Sequence, residues 1–375
     1  KGTARAPQPA DLLPSLRKAE WHAQHAAGAA GGAAGDVAGG AAEAAGSGRM
    51  PTKRQLRGII SAHMSAAHAW RAHLSDASPS PSSAASSAGA AAAAGAAELR
   101  KLCERGIPPE LRCDAWPRLL STRAALQPTA DEYELLRMAA VERISGSIHE
   151  EFKHTRLIEV DLARTFPRLG FFGEGGPLRG RLRELLWVYC LLPDGLPYRQ
   201  GMSHLAATLL LHLQDDAHLA CACLHALLGG YPILRAAASL RLAPSLRFFE
   251  AGARLACPAA ARRLAALEIG PELYFIPWVV TLFTRSLPLA LACRVWDRVL
   301  SEGERALFRA ALALLSLLEP ALAAASFDDA VRLLQHLPPI DGDELLAAMG
   351  KIALPEEEYE ALLVDAIVNG ATPDN

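Results

Sequence analysis

Between about residue 99 and residue 337, apolar positions return every three or four residues, in segments separated by Pro, Gly and Asp. That spacing places the apolar side chains of each segment on one stripe of a helix. Leu111, Ala115 and Leu119 recur at i, i+4 behind Pro108 and Pro109, and proline suits the first turn of a helix. Tyr133, Leu136, Ala140 and Ile144 make the apolar stripe of a charged stretch over 131–151, and Leu182, Leu185, Leu186 and Tyr189 that of a helix over 179–192. The same reading predicts helices over 202–213, 218–228, 259–266, 278–285, 289–301, 305–318 and 330–337. No clear period-two run interrupts them. The expected fold class is therefore all-α, a large multi-helix bundle long enough to bury its own core.

The flanks have a different character. Residues 26–48 and 77–97 are almost entirely Ala, Gly and Ser with a few prolines. They lack the large apolar side chains that offset ordering entropy, so 1–98 is expected to be a low-complexity, largely disordered N-terminal arm. One helix is expected inside it, over 51–76, with Leu56, Ile59, Ile60, His63 and Ala67 on one face and Trp70 alongside. Arg49, Lys53, Arg54 and Arg57 make its start basic. A basic amphipathic helix can lie on a membrane surface or bind an adaptor. The simpler reading is a helix packed on the main domain or a partly ordered linker. At the other end, 338–375 reads as a helical extension: Asp341 or Asp343 caps one helix, Pro355 to Glu358 open a last, acidic one, and 369–375 fray.

Composition narrows the function. The 375 residues carry 38 Lys and Arg against 40 Asp and Glu, so no global field points to nucleic acid or to an anionic lipid surface. Seven scattered cysteines, an odd number, fit a reducing compartment better than a disulfide framework. No run of about 18 uncharged apolar residues appears. The nearest stretch, 306–327, is interrupted by Arg309 and Glu319 and reads as one core helix, then a second after Pro320. The chain opens on Lys1 and not on methionine, which is expected of a fragment.

Several constellations fail on spacing. His149 and His154 flank two glutamates but are five apart, about 140° round a helix, whereas a zinc helix needs i and i+4. His218, Cys221 and His225 share a helical face, but no second ligand cluster exists to complete a metal site. The segment Gly201-Met-Ser203 lacks the second glycine of a nucleophile elbow, and Gly173-Glu-Gly175-Gly176 lacks the third glycine of a dinucleotide fingerprint. No Gly-Lys-Ser or Gly-Lys-Thr phosphate loop is present. The chain carries no sign of binding a nucleotide by itself.

The stretch from Ile158 to Met202 is different. Arg164 stands just ahead of Pro167, so it should end a short helix with its guanidinium free, and Phe166 before that proline should be extended. Gln200 follows the breaker-rich loop from Pro193 to Pro197 and precedes an apolar run. It should stand near a helix N-terminus, where backbone N–H groups favour an anion. Taken singly, Arg164 reads as a surface arginine paired to Asp161, and Gln200 as a helix-start residue contacting backbone.

Together the residues say more. Ile158, Asp161 and Arg164 fill the pattern I-x-x-D-x-x-R, and Tyr198, Gln200 and Gly201 fill Y-x-Q-G. Upstream, Arg105-Gly106-Ile107-Pro108 precedes Arg112, Trp116, Leu119 and Leu120 in an R-x-x-x-W-x-x-L-L spacing. Downstream come Pro277-Trp278, Phe283, Arg294, Trp296-Asp297 and Glu302-Gly303. In these residues the chain over 99–337 resembles the TBC domain, the catalytic module of Rab GTPase-activating proteins. It departs from the family pattern at Ser121, where glycine is usual, and at Ser203, where asparagine is usual.

The resemblance implies a domain that supplies Arg164 and Gln200 in trans as catalytic fingers to a Rab-type small GTPase in its GTP-bound form. Asp161, Thr165, Tyr198, Gly201, Met202 and Arg112 would support them or touch the GTPase. No cofactor of its own is implied, since the partner carries GTP and magnesium. Neither a nucleic-acid partner nor a transmembrane segment is implied; the expected setting is the cytoplasm, with peripheral recruitment to endomembranes. The tryptophans and Asp297 are expected to be structural, Asp297 as a local cap or pair. A rival reading keeps the fold and drops the catalysis, leaving a Rab-binding scaffold or effector. A generic helical solenoid is disfavoured because no 30–45-residue repeat is visible.

Overall fold

The computed structural model describes residues 64–74, 102–103, 106–145, 154–238, 242–354, 357 and 359–361. The chain divides into two compact units, Lys1–Leu111 and Arg112–Asn375. In the first unit residues 64–74 form helix α1, with Ala67 and Trp70 buried. The Trp70 indole N–H donates to the Gly106 carbonyl at 3.2 Å, which meets the need of a buried indole for a partner. The expected linkers, the basic start of this helix, the 146–153 segment with His149, and the tail beyond residue 361 lie outside the described residues.

The second unit is built from helices throughout its described residues. In chain order they are α2 Arg112–Ser121, α3 Ala130–Ser145, α4 Thr155–Arg164, α5 Arg179–Leu191, α6 Met202–His212, α7 Ala217–Gly230 and α8 Pro232–Ala238. They are followed by α9 Ala243–Ala256, α10 Pro258–Ala266, α11 Phe275–Val280, α12 Leu289–Glu302, α13 Glu304–Ala323, α14 Phe327–Gln335 and α15 Gly342–Lys351. Helices α5 and α7 centre one group, packing with α2, α3, α4 and α6. Helix α13 centres the other, packing with α9, α10, α11, α12 and α15. Contacts of α2 with α12, and of α8 with α7 and α11, join the two groups.

The caps follow local chemistry. Asp216 accepts from the Leu219 N–H, Ser326 from the Asp329 N–H, and Asp341 from the N–H groups of Asp343 and Glu344. Each satisfies a donor the first helical turn leaves orphaned. The 338–375 extension was expected beyond the bundle, yet α15 packs on α13 with Leu345 and Met349 buried.

Three expectations give way. The helix predicted over 278–285 lies earlier, ending at Val280, and Leu282 and Phe283 take positive φ values of 43° and 65°. The run Val279-Val280-Thr281 is poor helix material, and the tight turn lets both Leu282 and Phe283 bury completely. Pro320 does not break 306–327 in two; α13 runs through it to Ala323. A proline so near the C-terminus removes one backbone hydrogen bond, and burial of Leu315, Leu318 and Leu322 along the same helix outweighs that loss. Glu319 also accepts from the N–H groups of Ala259 and Ala260, capping α10 from across the interface. Helix α13 is long and apolar enough to cross a membrane by length and composition, and most of it is buried among its neighbours.

The third concerns Asp297, which was expected to cap or pair locally. Its carboxylate is wholly buried and accepts from Arg112 Nε at 3.2 Å and Nη2 at 3.0 Å, joining α2 to α12. The Trp116 indole N–H also donates to it at 2.9 Å. Trp116 stacks on Trp296 at 5.2 Å and meets the His212 ring edge-on at 4.7 Å. Arg112 is therefore interior, 3% exposed, and is not among the residues that face solvent.

Candidate functional site

Helix α4 buries Ile158, Asp161 and Leu162 and leaves Leu157, Val160 and Arg164 exposed on an adjoining side. It stops where the backbone changes hand. Thr165 is extended, with φ −82° and ψ 112°, and Phe166 is left-handed, with φ 45° and ψ 56°. The extended conformation expected at Phe166 thus falls one residue earlier. A residue before proline is kept out of the right-handed helical region, and the left-handed well meets that demand equally well. There the Phe166 ring meets His204 edge-on at 5.2 Å and Phe172 at 6.4 Å, contacts that support a conformation costly for a bulky side chain.

Arg164 occupies the last turn of α4, with its side chain 45% exposed. Asp161 Oδ1 accepts from its Nε at 2.8 Å and also from Nη2. The other carboxylate oxygen, Oδ2, accepts from the Tyr198 hydroxyl at 2.7 Å. Burial first, then the bond to Asp161, pushes the Tyr198 hydroxyl well above its usual pKa, so it remains a donor. Thr165 Oγ1 lies 2.7 Å from the Asp161 carbonyl, to which it donates, and 2.9 Å from Ser203 Oγ in the first turn of α6. One buried polar network thus spans the C-terminus of α4, the loop at Tyr198 and the start of α6.

Gln200 sits in the turn that feeds α6, exposed and without a side-chain hydrogen bond among the described residues. The turn itself is held tightly. The Arg199 guanidinium donates through Nε to the Ala238 carbonyl at 2.9 Å, and the Arg199 N–H points to Met202 Sδ at 3.3 Å. Gly201 has φ 105°, and a Cβ there would lie 3.2 Å from Thr281 Cγ2 and 3.4 Å from Val280 Cγ2. Conformation and space both demand glycine. At this helix start, expected to favour an anion, the Met202 and His204 N–H groups donate to the carbonyls of Arg199 and Gly201.

Residues 109–323 match the sequence model of the Rab-GTPase-TBC domain, more than half of the chain. The chain belongs to that family. Among its relatives, TBC1 domain family member 12 of Xenopus tropicalis is 33% identical over 277 residues, covering 68% of this chain and 40% of the relative. TBC1 domain family member 14 of Homo sapiens is 32% identical over 278 residues, again 68% of this chain and 39% of the relative. The chain thus spans about 40% of the length of these relatives. Among solved structures, a Chlamydomonas flagellar RabGAP TBC domain superposes with a TM-score of 0.56 at 20% identity, covering 80% of this chain and 95% of that one. The TBC domain of Skywalker from Drosophila melanogaster gives 0.52 at 15% identity, covering 74% and 93%. At such identities the structures support the all-α TBC fold alone.

Within this TBC domain the residues singled out from sequence separate into two kinds. Arg164 and Gln200 are exposed, but the Arg164 guanidinium expected to be free has Nε and Nη2 engaged by Asp161. Asp161, Thr165, Tyr198, Gly201 and Met202 are all buried, so Tyr198 and Met202 act from beneath the surface and not as part of it. Arg112 belongs to neither kind, since it serves the α2–α12 junction. The rejected metal face has ordinary partners: His218 Nε2 lies 2.9 Å from the Pro128 carbonyl, and His225 Nε2 lies 3.3 Å from Asp194. Among the described residues no group of three His, Cys, Asp or Glu could hold a metal ion.

Two residues of the site escaped the sequence reading. His204 lies in the first turn of α6, ahead of a mostly apolar run, and nothing else in the sequence singled it out. Arg285 lies beyond the left-handed turn at Leu282 and Phe283 and is exposed, with no ion pair among the described residues. Only the folded chain brings 280–281 against Gly201.

Proposed function

We propose that this chain accelerates GTP hydrolysis on a Rab-type small GTPase, docking to its GTP-bound form and supplying Arg164 and Gln200 in trans. The observation that carries the reading is the Asp161 carboxylate, which holds the Nε–Nη2 edge of the half-exposed Arg164 guanidinium with one oxygen and Tyr198, two residues before exposed Gln200, with the other. In phosphoryl transfer to water, negative charge spreads over the transferring group, and the water must be held in line. A guanidinium fork matches phosphate oxygens in pairs and carries its charge at every working pH. A carboxamide accepts a hydrogen bond from the water and donates one to a phosphate oxygen, which aligns the nucleophile.

GTP and its magnesium arrive on the partner, and this chain contributes no cofactor. The pre-formed pair with Asp161 keeps the Arg164 fork close to its working direction, reducing the entropy lost when it enters the phosphate pocket. The site would act in the cytoplasm, on GTPases at endomembranes. The test is single-turnover GTP hydrolysis across a panel of GTP-loaded Rabs, with and without the protein. Acceleration of at least one Rab is expected. Tight binding to a GTP-loaded Rab with an unchanged hydrolysis rate would favour a non-catalytic effector instead.

A further inference from the structure

We propose that His204 is a positioning residue that seats Phe166 and so sets the direction in which the chain leaves Arg164. This rests on the reading that Arg164 acts on the partner's phosphate.

The ring of His204 is 92% buried, being 8% exposed, and its Nδ1 has no hydrogen-bond partner. A buried imidazole nitrogen left unsatisfied costs free energy, so Nδ1 contributes no hydrogen bond that would explain the ring's place here. What it does make is an edge-on contact with Phe166 at 5.2 Å. Phe166 lies two residues past Arg164 and holds a left-handed φ of 45°. That backbone state needs support from its surroundings, and the His204 ring, with Phe172 at 6.4 Å, provides it by packing on the Phe166 side chain. The His204 backbone is fixed independently, since its N–H donates to the Gly201 carbonyl at 3.0 Å, next to Gln200. His204 therefore joins the glutamine turn to the chain leaving Arg164 by a path separate from the Asp161–Tyr198 bond.

The ring is uncharged at neutral pH. Burial, followed by the nearby Arg285, lowers the His204 pKa to about 4, with Asp161 raising it and Arg164 lowering it. At neutral pH the ring is a flat, uncharged imidazole. A phenylalanine can take its place; an alanine cannot.

The experiment compares His204→Ala and His204→Phe with the wild-type chain, using the Rab that wild type accelerates most. Thermal unfolding is run beside it to confirm folding. His204→Ala is expected to lower the maximal hydrolysis rate roughly tenfold to a hundredfold, with the half-saturating concentration within about twofold because docking is untouched. His204→Phe is expected to restore the rate to within about threefold. An unchanged rate in His204→Ala, a loss in half-saturation alone, or equal loss in both variants would overturn the proposal.

A readout free of any GTPase separates this failure from that of the hydrolysis reading. The arginine Nε–H resonance of Arg164, assigned by its disappearance in Arg164→Lys, is expected to shift in His204→Ala and stay in place in His204→Phe. If wild type accelerates no Rab but the resonance behaves so, the positioning holds and the catalytic reading falls. An unmoved resonance in His204→Ala overturns the positioning itself.

Discussion

The Tyr198 hydroxyl donates a 2.7 Å hydrogen bond to Asp161 Oδ2, joining two segments 37 residues apart in the chain. Because the other oxygen of the same carboxylate holds Arg164, one buried acid fixes both the arginine helix and the loop that carries Gln200. The two side chains proposed to work together are mounted on one rigid piece.

Tyr198→Phe tests that mounting. The ring stays, the donor goes, and a buried carboxylate oxygen loses its partner, which costs about 1–3 kcal/mol. Chemical denaturation should register a loss of that size, and hydrolysis by a responsive Rab should slow as well. Stability within about 0.5 kcal/mol of wild type would mean that water or a shifted neighbour replaces the hydroxyl.

Removing the proposed Gln200 finger should leave stability alone, because it lies in an exposed turn. Removing the proposed Arg164 finger should keep the fold at a cost of about 1–3 kcal/mol, because buried Asp161 Oδ1 loses its partner. Arg164→Ala is expected to lower single-turnover hydrolysis by ~10³–10⁵, the range of an arginine supplied in trans. Arg164→Lys should recover little, since an ammonium cannot span two oxygens. Gln200→Ala should also cut the rate strongly, with an unchanged melting temperature. An alanine variant at the wild-type rate would remove that residue from the mechanism.

What could be read in the chain beforehand follows from how local its cause is. The helices rest on periodicity, and most appear within a residue or two of their expected bounds. Arg164 at a helix end and Gln200 before one follow from Pro167 and from the breakers between Pro193 and Pro197. Helices α8 and α9 went unread, although Pro244 at the start of α9 and buried Phe248, Phe249 and Ala253 were available as signals. The remaining misses are long-range. Nothing near Asp297 announces that its partner is Arg112, 185 residues away. Nor does anything beside Phe166 announce that His204 will make a left-handed residue tolerable.

The Arg112–Asp297 pair makes its own prediction. Both side chains are almost fully withdrawn from water, so deleting one charge removes a buried bidentate partner of the other, a loss that can reach about 3–5 kcal/mol. Arg112→Met should approach that loss. In Asp297→Leu the Arg112 guanidinium loses this carboxylate, and the Trp116 N–H loses its acceptor too. The double variant should be more stable than the sum of the singles indicates, by denaturation in a double-mutant cycle. Additive losses would mean that the charges do not depend on each other.

Glu304 should give the bundle a pH-dependent stability. It is 7% exposed, and burial raises its carboxyl from an ordinary 4.5 to about 7, against the opposing pull of the Ile233 N–H and Arg123. The folded chain therefore holds this proton more tightly than the unfolded one between pH 4.5 and 7. The contribution is full below the unfolded value and is lost as pH rises through the folded value. Glu304→Gln keeps an oxygen to accept from Ile233 and cannot ionise. The difference in stability between variant and wild type should move in the variant's favour from pH 4.5 to pH 8, by on the order of 1–3 kcal/mol. A constant offset across that range would show the folded pKa to be ordinary.

The exposed face of α4 bears on how the partner is held. Leu157, Val160 and Arg164 recur at i, i+3 and i+7, so they share one side of the helix. Leu157 and Val160 are 55% and 54% exposed, which is wasteful for aliphatic side chains unless something covers them. A GTPase whose phosphate pocket receives Arg164 must press against this side. Covering the pair would then contribute to docking and not to the chemical step. Leu157→Ser with Val160→Ser should raise the half-saturating concentration about tenfold or more, at about 25 cal/mol per Å² of apolar surface lost from the contact. The maximal rate and the melting temperature should stay close to wild type, because neither side chain packs inward. If the double variant instead loses maximal rate at an unchanged half-saturating concentration, α4 orients the arginine but does not meet the partner.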